Sequence, residues 1–535
     1  MQDPIFGNEN AELDELLSEC FVRINSPETQ KPILTGRWGT GKSALLLLNN
    51  KQMSELLPPE ADYSRIWYID ERTLDLNALA ELERQFSDDP RFVRRTLEHL
   101  WKGELIRTYC NVLSRLADKY VQNSGDHWRF VHRVASAKHA HRTLWSQIPN
   151  VIAAITGESA RARAVHEVQE SVTAVIDDEA LLNVLRCLAD IRHGEPVPGV
   201  AVEPIETPHS MLERQQSLAT NMVGSLLNVF QSHFQPTAAN RVNLRITLPW
   251  HRFQPESLDF PQKLRQYIGN VQWTRAKLRE FINRRIEFEY RRVGRRFTEK
   301  GVDAWSTLFE TGIPNGICRP RIVEDSFDYF LRHTHHRARD LQRLARLSVE
   351  AQAEKLACDV DDVLFGSGGR VKADVVRETF HRECPRASDD LIIEASRRYP
   401  EMGAIVGRLH GLSIPFDKAE LKRRMDEIEI PVVRALDLLW EAGIAGVTAV
   451  PLTASAADLV GAFLTRDEAH RRFTADDGTH HERWSWFEYN WDGGITKLLD
   501  SLSRLGSISY GLILHSKVLE YFSPQSMDTA SPIGI

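Results

Sequence analysis

The stretch that most constrains this chain is Gly36-Arg37-Trp38-Gly39-Thr40-Gly41-Lys42-Ser43. It satisfies GxxxxGK[ST], and its flanks agree: Pro32 to Thr35 predicts a strand leading in, and Ser43 to Leu48 predicts a helix leading out. Glycines at 36, 39 and 41 let the backbone turn tightly, so that successive amide N–H groups and the helix N-terminus face an anion. This reading assigns Gly36, Arg37, Gly39, Thr40, Gly41, Lys42, Ser43 and Ala44 to nucleotide phosphates, with Lys42 on the β- and γ-phosphates and the Ser43 hydroxyl on Mg²⁺. A strand–loop–helix unit of this kind belongs to an α/β core, a parallel sheet with helices on both faces. No guanine-reading N/TKxD segment follows the loop, so ATP is the expected nucleotide.

A loop that hydrolyses its nucleotide needs a carboxylate at a strand end to hold Mg²⁺, and usually a second to orient the attacking water. Three segments offer one. Asp70-Glu71 follows the loop by a single helix and suits the neighbouring strand. Asp177-Asp178-Glu179 runs straight into a helical pattern and reads as a first helical turn, where negative charge is favourable. Val200-Ala-Val-Glu203-Pro-Ile-Glu206 follows a Gly/Pro break and precedes a long helix pattern, Ser210 to Phe234, and then the strand pattern Asn243 to Leu248. Strand, helix, strand is the expected order of a metal-binding strand and a sensor strand. Glu203 and Glu206 are therefore the expected catalytic acids, with Glu203 also a metal ligand.

Length decides how much more the chain holds. Its 535 residues suffice for several domains. Residues 84–195 read as mostly helical, too long for a plain connection, and predict a helical insertion. Beyond a glycine-rich break at 365–369, helix patterns at Val375–His381, Asp390–Arg398, Glu401–Leu409 and Ile430–Ala442 are followed by strand patterns at 484–491 and 508–515. That order predicts a winged-helix-like α+β domain. With 67 Lys and Arg against 74 Asp and Glu, the net charge of −7 excludes a globally basic surface, so any nucleic-acid contact must be local. The densest basic run lies between Arg275 and Lys300. The histidines at 127, 132, 139 and 141, at 333, 335 and 336, and at 480 and 481 read as surface residues without metal-ligand spacing. Six scattered cysteines form no CxxC, which argues against a disulfide framework or structural zinc and for a reducing compartment. No targeting segment or membrane-length apolar run stands out, so the expectation is a cytoplasmic protein with no membrane contact.

With these pieces in order, the chain resembles bacterial P-loop ATPases of the AAA+/STAND kind, relatives of Orc/Cdc6 and KAP-type ATPases, many of them associated with anti-phage defence. The residues that carry the resemblance are Phe6-Gly-Asn-Glu-Asn-Ala-Glu-Leu ahead of the loop, GRWGTGKS itself, and the strand ending in Glu203, where aspartate is usual. Leu248-Pro-Trp-His-Arg252, Val271-Gln-Trp273 and Leu278 to Ile286 resemble the sensor strand and the start of a helical lid. His336-Arg337-Ala-Arg339-Asp340 looks like the lid helix that carries a sensor arginine, with alanine at the family's proline. The resemblance implies a core at 1–260, a helical lid at 261–356 and a C-terminal winged-helix-like domain at 371–535. It also implies that Arg337 or Arg339 meets the γ-phosphate on lid closure. The expected activity is an ATP-driven switch that acts with a partner effector protein or by self-oligomerisation. Two rivals stand beside it. One is an Orc-like ATPase that binds DNA through the Arg-rich lid or the C-terminal domain, and the other is an ATP-bound scaffold without turnover.

Overall fold

Strands Ile33–Gly36 (β1), Val200–Val202 (β2) and Leu244–Pro249 (β3) are apolar runs buried along almost their whole length, the composition of parallel strands covered on both faces. With Ile268–Asn270 (β4) they form a four-stranded, wholly parallel sheet in the order β2-β3-β1-β4. The register sets Ile33 beside both Ile246 and Ile268, and Val202 beside Ile246. The computed structural model describes residues 5–8, 14, 20, 22, 30–46, 83–84, 89–114, 125–136, 178–191, 197–203, 216–236, 241–250, 261–293, 303–315, 322–365, 369–451, 470–475, 480–487, 494–504, 508–519, 522 and 526–527. They divide into a sheet unit, Asn25–Trp38 with Lys42–Val271, and a C-terminal unit, Met1–Ile24 with Gly39–Gly41 and Gln272–Ile535.

In the sheet unit the described part of 84–195 is helical: Pro90–Ser114 (α1), Asp126–Ala135 (α2) and Asp178–Asp190 (α3). Asp178 and Glu179 occupy the first turn of α3, where the helix dipole favours them. Gln216–Val229 (α4) continues as one π-turn to Phe234. Helices α1 and α4 are tied by Trp101, whose indole N–H donates to Met222 O at 2.9 Å. Leu97, Leu105, Val184, Leu226 and Phe230 join the strand residues Val202 and Ile246 in one core.

The C-terminal unit is built on a second, six-stranded sheet. Its strands are Gly312–Asn315 (β5), Ile322–Asp325 (β6), Ala445–Pro451 (β8), His470–Ala475 (β9), His480–Trp486 (β10) and Ile508–Leu514 (β11), in the order β11-β8-β10-β9-β6-β5 with every neighbouring pair antiparallel. The short strand Ser413–Ile414 (β7) pairs with Ser526–Met527 (β12), and just after it Phe416 bridges Leu512 of β11. Its helices include Arg275–Arg292 (α5), Ser326–Leu331 (α6), Ala338–Leu356 (α7), Ala373–Arg398 (α8), Met402–Gly407 (α9), Lys418–Asp426 (α10), Val432–Glu441 (α11), Ile495–Arg504 (α12) and Ser516–Leu519 (α13).

Three expectations are corrected here. Residues 268–270, placed in the lid from sequence, are the edge strand β4 of the parallel sheet, because Val271 N–H and Thr35 O extend the β1 ladder at 2.8 Å. The lid and C-terminal ranges are not separate layers: β6 pairs with β9, so 312–325 and 445–514 share one sheet. Two predicted helices are one, since α8 runs through Pro385; Ser388 Oγ donates to Cys384 O at 2.8 Å and Lys517 O at 2.7 Å, and buried Phe380, Cys384 and Leu391 hold both halves. Among the described residues no helix is long and apolar enough to cross a membrane.

Candidate functional site

The glycine-rich loop leaves β1 at Gly36, turns through residues 37–41 and enters a helix at residue 42. Gly39 and Gly41 have φ of +79° and +86°, which glycine alone adopts without strain. In the sheet unit, Lys42 Nζ donates to the carbonyls of Gly36 and Arg37, both at 2.9 Å, so the ammonium lies over the loop's own backbone. Arg37 is buried with its guanidinium 4.6 Å from the Trp250 ring centre, a cation–π contact to the residue that follows β3.

Two predicted metal ligands meet here. Ser43 Oγ donates to Glu203 Oε1 at 2.6 Å, a charge-assisted length, although 160 residues separate them. Glu203 follows the last residue of β2, and β3 lies between that strand and β1. The carboxylate and hydroxyl are hard oxygen donors of the kind Mg²⁺ prefers, and Mg²⁺ usually takes few protein ligands beside water and phosphate. The pair therefore fits the ion. Glu206, Asp70 and Glu71 lie outside the described residues.

Sequence reasoning passed over Thr247. It lies in β3 beside Leu34, and the pairing of Val202 with Ile246 puts it level with Glu203. Its hydroxyl is buried and has no hydrogen-bond partner among the described residues. Threonine is an ordinary strand residue, so nothing in the sequence marks it.

The loop tip, Gly39–Gly41, groups with the C-terminal unit. Trp273 Nε1 donates to Thr40 O at 2.8 Å, and Arg339 N donates to Gly39 O at 3.4 Å. The two candidate sensor arginines differ sharply. Arg337 is buried, and its Nη2 pairs with fully buried Glu394 at 3.2 Å. Arg339 is exposed, and its Cβ lies 3.2 Å from where a Cβ on Gly39 would stand.

The segment before the loop docks within the same unit. Phe6 is buried with φ +64°, its N–H donates to Glu289 Oε1 at 2.9 Å, and its carbonyl accepts from Arg285 and from Gln342 Nε2, the latter at 3.0 Å. Arg285 also forms a buried ion pair with Asp14, Nη2 to Oδ2 at 2.5 Å. Burial pushes the Glu289 carboxyl above the usual range, and the Phe6 N–H works against that shift.

The expected cationic stripe is largely neutralised on α5. Arg275 pairs with Asp328 at 2.7 Å, Lys277 and Arg284 with Glu280, Arg279 with Asp303, Arg285 with Asp14, and Arg292 with Glu289 at 3.0 Å. Arg295, Arg296 and Lys300 lie outside the described residues.

His333, His335 and His336, read from sequence as surface residues, are instead buried. Polar neighbours in sequence disguise a packed turn in which His333 Nδ1 meets Tyr329 O at 2.7 Å, His335 Nε2 meets Gly443 O at 2.9 Å, and the His335 ring stacks on His515 at 3.4 Å. Burial first, then nearby cations, hold His333 and His515 well below the ordinary imidazole value near 6.5. A depressed histidine binds its proton more readily unfolded than folded, so stability is retained above pH 6.5 and lost as pH falls below it. We expect the unfolding free energy to drop by up to about 1.4 kcal/mol per pH unit for each of the two histidines. Urea unfolding at pH 7.5 and 5.5 checks this, and a flat profile would sink it. His127 bonds Asp190 at 2.6 Å, and among the described residues no group of three or more His, Cys, Asp or Glu could hold a metal ion.

Comparison with protein-family models, with curated proteins and with solved structures finds no match to this chain.

Proposed function

We propose that this chain binds ATP with Mg²⁺ at the loop Gly36–Ser43, hydrolyses it, and works as a nucleotide-dependent switch of the AAA+/STAND kind. The single observation that carries this reading is the 2.6 Å bond between Ser43 and Glu203. A chance glycine turn has no reason to bring a buried carboxylate from a non-adjacent strand onto the one hydroxyl that the motif reserves for metal. Mg²⁺ bound by Ser43 and Glu203 would neutralise phosphate charge. The loop amides and Lys42 bind the phosphates, Glu203 with Glu206 orients water, and Thr247 supplies a buried donor level with Glu203. Of the two candidate arginines for the γ-phosphate, Arg337 is committed to Glu394, which leaves Arg339 as the candidate.

The test is Glu203→Gln. ATP turnover should fall about 100-fold, the order seen when one aligned electrostatic group is removed, while ATP affinity stays within about threefold. Equal turnover in wild type and variant would overturn the assignment of Glu203. Absence of turnover in both, with ATP bound, would leave the scaffold reading.

The winged-helix-like reading of 371–535 draws support from the run α9, β7, α10, α11, β8, with residue 416 bridged to β11 and β11 paired with β8; β9, β10 and α12 intervene in the chain between β8 and β11. The exposed side chains of α11 are Val433, Arg434 and Glu441, which carry no net positive charge. Together with the paired α5, this favours a partner protein or a second copy over duplex DNA as the surface the switch addresses. A defence role with a separate effector chain is the setting the family resemblance suggests. A salt-dependent shift of duplex DNA by the purified protein would instead favour the Orc-like reading.

A further inference from the structure

We infer that Trp273 is a positioning residue for the phosphate-binding loop, acting through the Thr40 carbonyl. The inference rests on the nucleotide reading above and adds a residue that the loop motif does not contain. The Trp273 indole is nearly buried, stands edge-on to Phe281 of α5 at 5.5 Å, and is followed at once by the α5 N-cap Thr274, whose side chain accepts from Lys277 N at 3.3 Å. Packing and capping thus fix the ring before it meets the loop. From that position Nε1 donates to Thr40 O at 2.8 Å, and the ring edge lies 3.9 Å from where a Cβ on Gly41 would stand.

In a trans peptide the carbonyl and the next amide point in opposite directions across one plane. Holding Thr40 C=O toward Trp273 therefore holds the Gly41 N–H pointing the opposite way, the fixed sense a loop amide needs to join a row that would cradle an anion. The same logic applies one residue earlier. Gly39 C=O accepts from Arg339 N in the first turn of α7, whose N-cap Arg337 makes no side-chain cap, so that peptide also has a fixed sense. A loop with two glycines at positive φ has many conformations to lose on binding, and bracing its carbonyls removes part of that cost beforehand.

The test compares wild type with Trp273→Phe and with a variant carrying 3-benzothienylalanine at 273, which keeps the ring shape and replaces N–H by sulfur. Calorimetric titration with ATP, ADP and AMP should show ATP and ADP weakened about tenfold in both variants, equivalent to about 1.4 kcal/mol. AMP, which lacks a β-phosphate for the nest, should bind as it does to wild type, and the unfolding midpoint of the sulfur variant should be unchanged. Tight ATP and ADP binding by the sulfur variant would overturn the role of the N–H. Equal weakening of AMP would reduce Trp273 to general packing and overturn it too. Failure of wild type to bind any nucleotide would sink the nucleotide reading itself, and this inference with it.

Discussion

Replacing Lys42 by alanine is expected to raise the dissociation constant for ATP about 10- to 150-fold, because a charge-assisted contact contributes about 1.5–3 kcal/mol. The ammonium is buried and sits on the carbonyls of Gly36 and Arg37. Those carbonyls present partial negative charge toward the loop, and the lysine masks it. Alanine would remove the cation that meets the phosphates and also uncover the carbonyls, so attraction is lost and repulsion gained at one position. A thermal melt reads what the two ammonium–carbonyl bonds contribute to the fold, about 1.5–3 kcal/mol each as hydrogen bonds to a charged group. Calorimetric titration with ATP, beside a thermal melt, checks both parts; a folded variant with wild-type affinity would remove the basis for the nucleotide assignment.

The largest stability effect is expected at Asp14. Its pair with Arg285 is buried on both sides, and Asp14→Ala leaves the guanidinium without its carboxylate, a change that costs about 3–5 kcal/mol in comparable buried pairs. Arg285 also donates to Phe6 O, so the docking of the N-terminal segment on α5 should loosen with it. The companion variant Asp14→Leu with Arg285→Met separates the loss of charge compensation from the loss of packing. It should recover most of the stability, because a well-packed apolar pair often matches a buried ion pair. Urea unfolding of the three proteins decides the matter. A loss under about 1 kcal/mol in Asp14→Ala would show that the pair is relaxed or hydrated in solution.

What could be read from the sequence was local. The loop at 36–43, the strand before it, the strand pattern at 200–202 and the acid after it at 203 follow from patterns a few residues long, and the parallel sheet brings those strands and the Ser43–Glu203 contact together. What could not be read depends on partners far along the chain. The arginines of α5 look like a cationic face until Asp14, Asp303 and Asp328 are brought to them from other segments. His333 and His335 look polar until Gly443 and His515 close over them. The pairing of β6 with β9 links residues about 150 apart, and no period in either strand encodes that choice of neighbour. In the sequence Trp273 stands out only as part of the segment resembling the start of a lid, because its contact with the loop lies in one indole N–H and the carbonyl of a residue more than two hundred positions earlier.

The β6–β9 pairing bears on how this protein can be divided. A chain cut between α7 and α8 would strip β6 of its neighbour on one side and β9 of its neighbour on the other, leaving each fragment with an unpaired edge able to template unwanted association. The smallest fragment that keeps all six strands of the sheet together runs from β5 to β11. The glycine-rich break at 365–369, which looks like a natural boundary in the sequence, therefore falls between two strands that pair in one sheet.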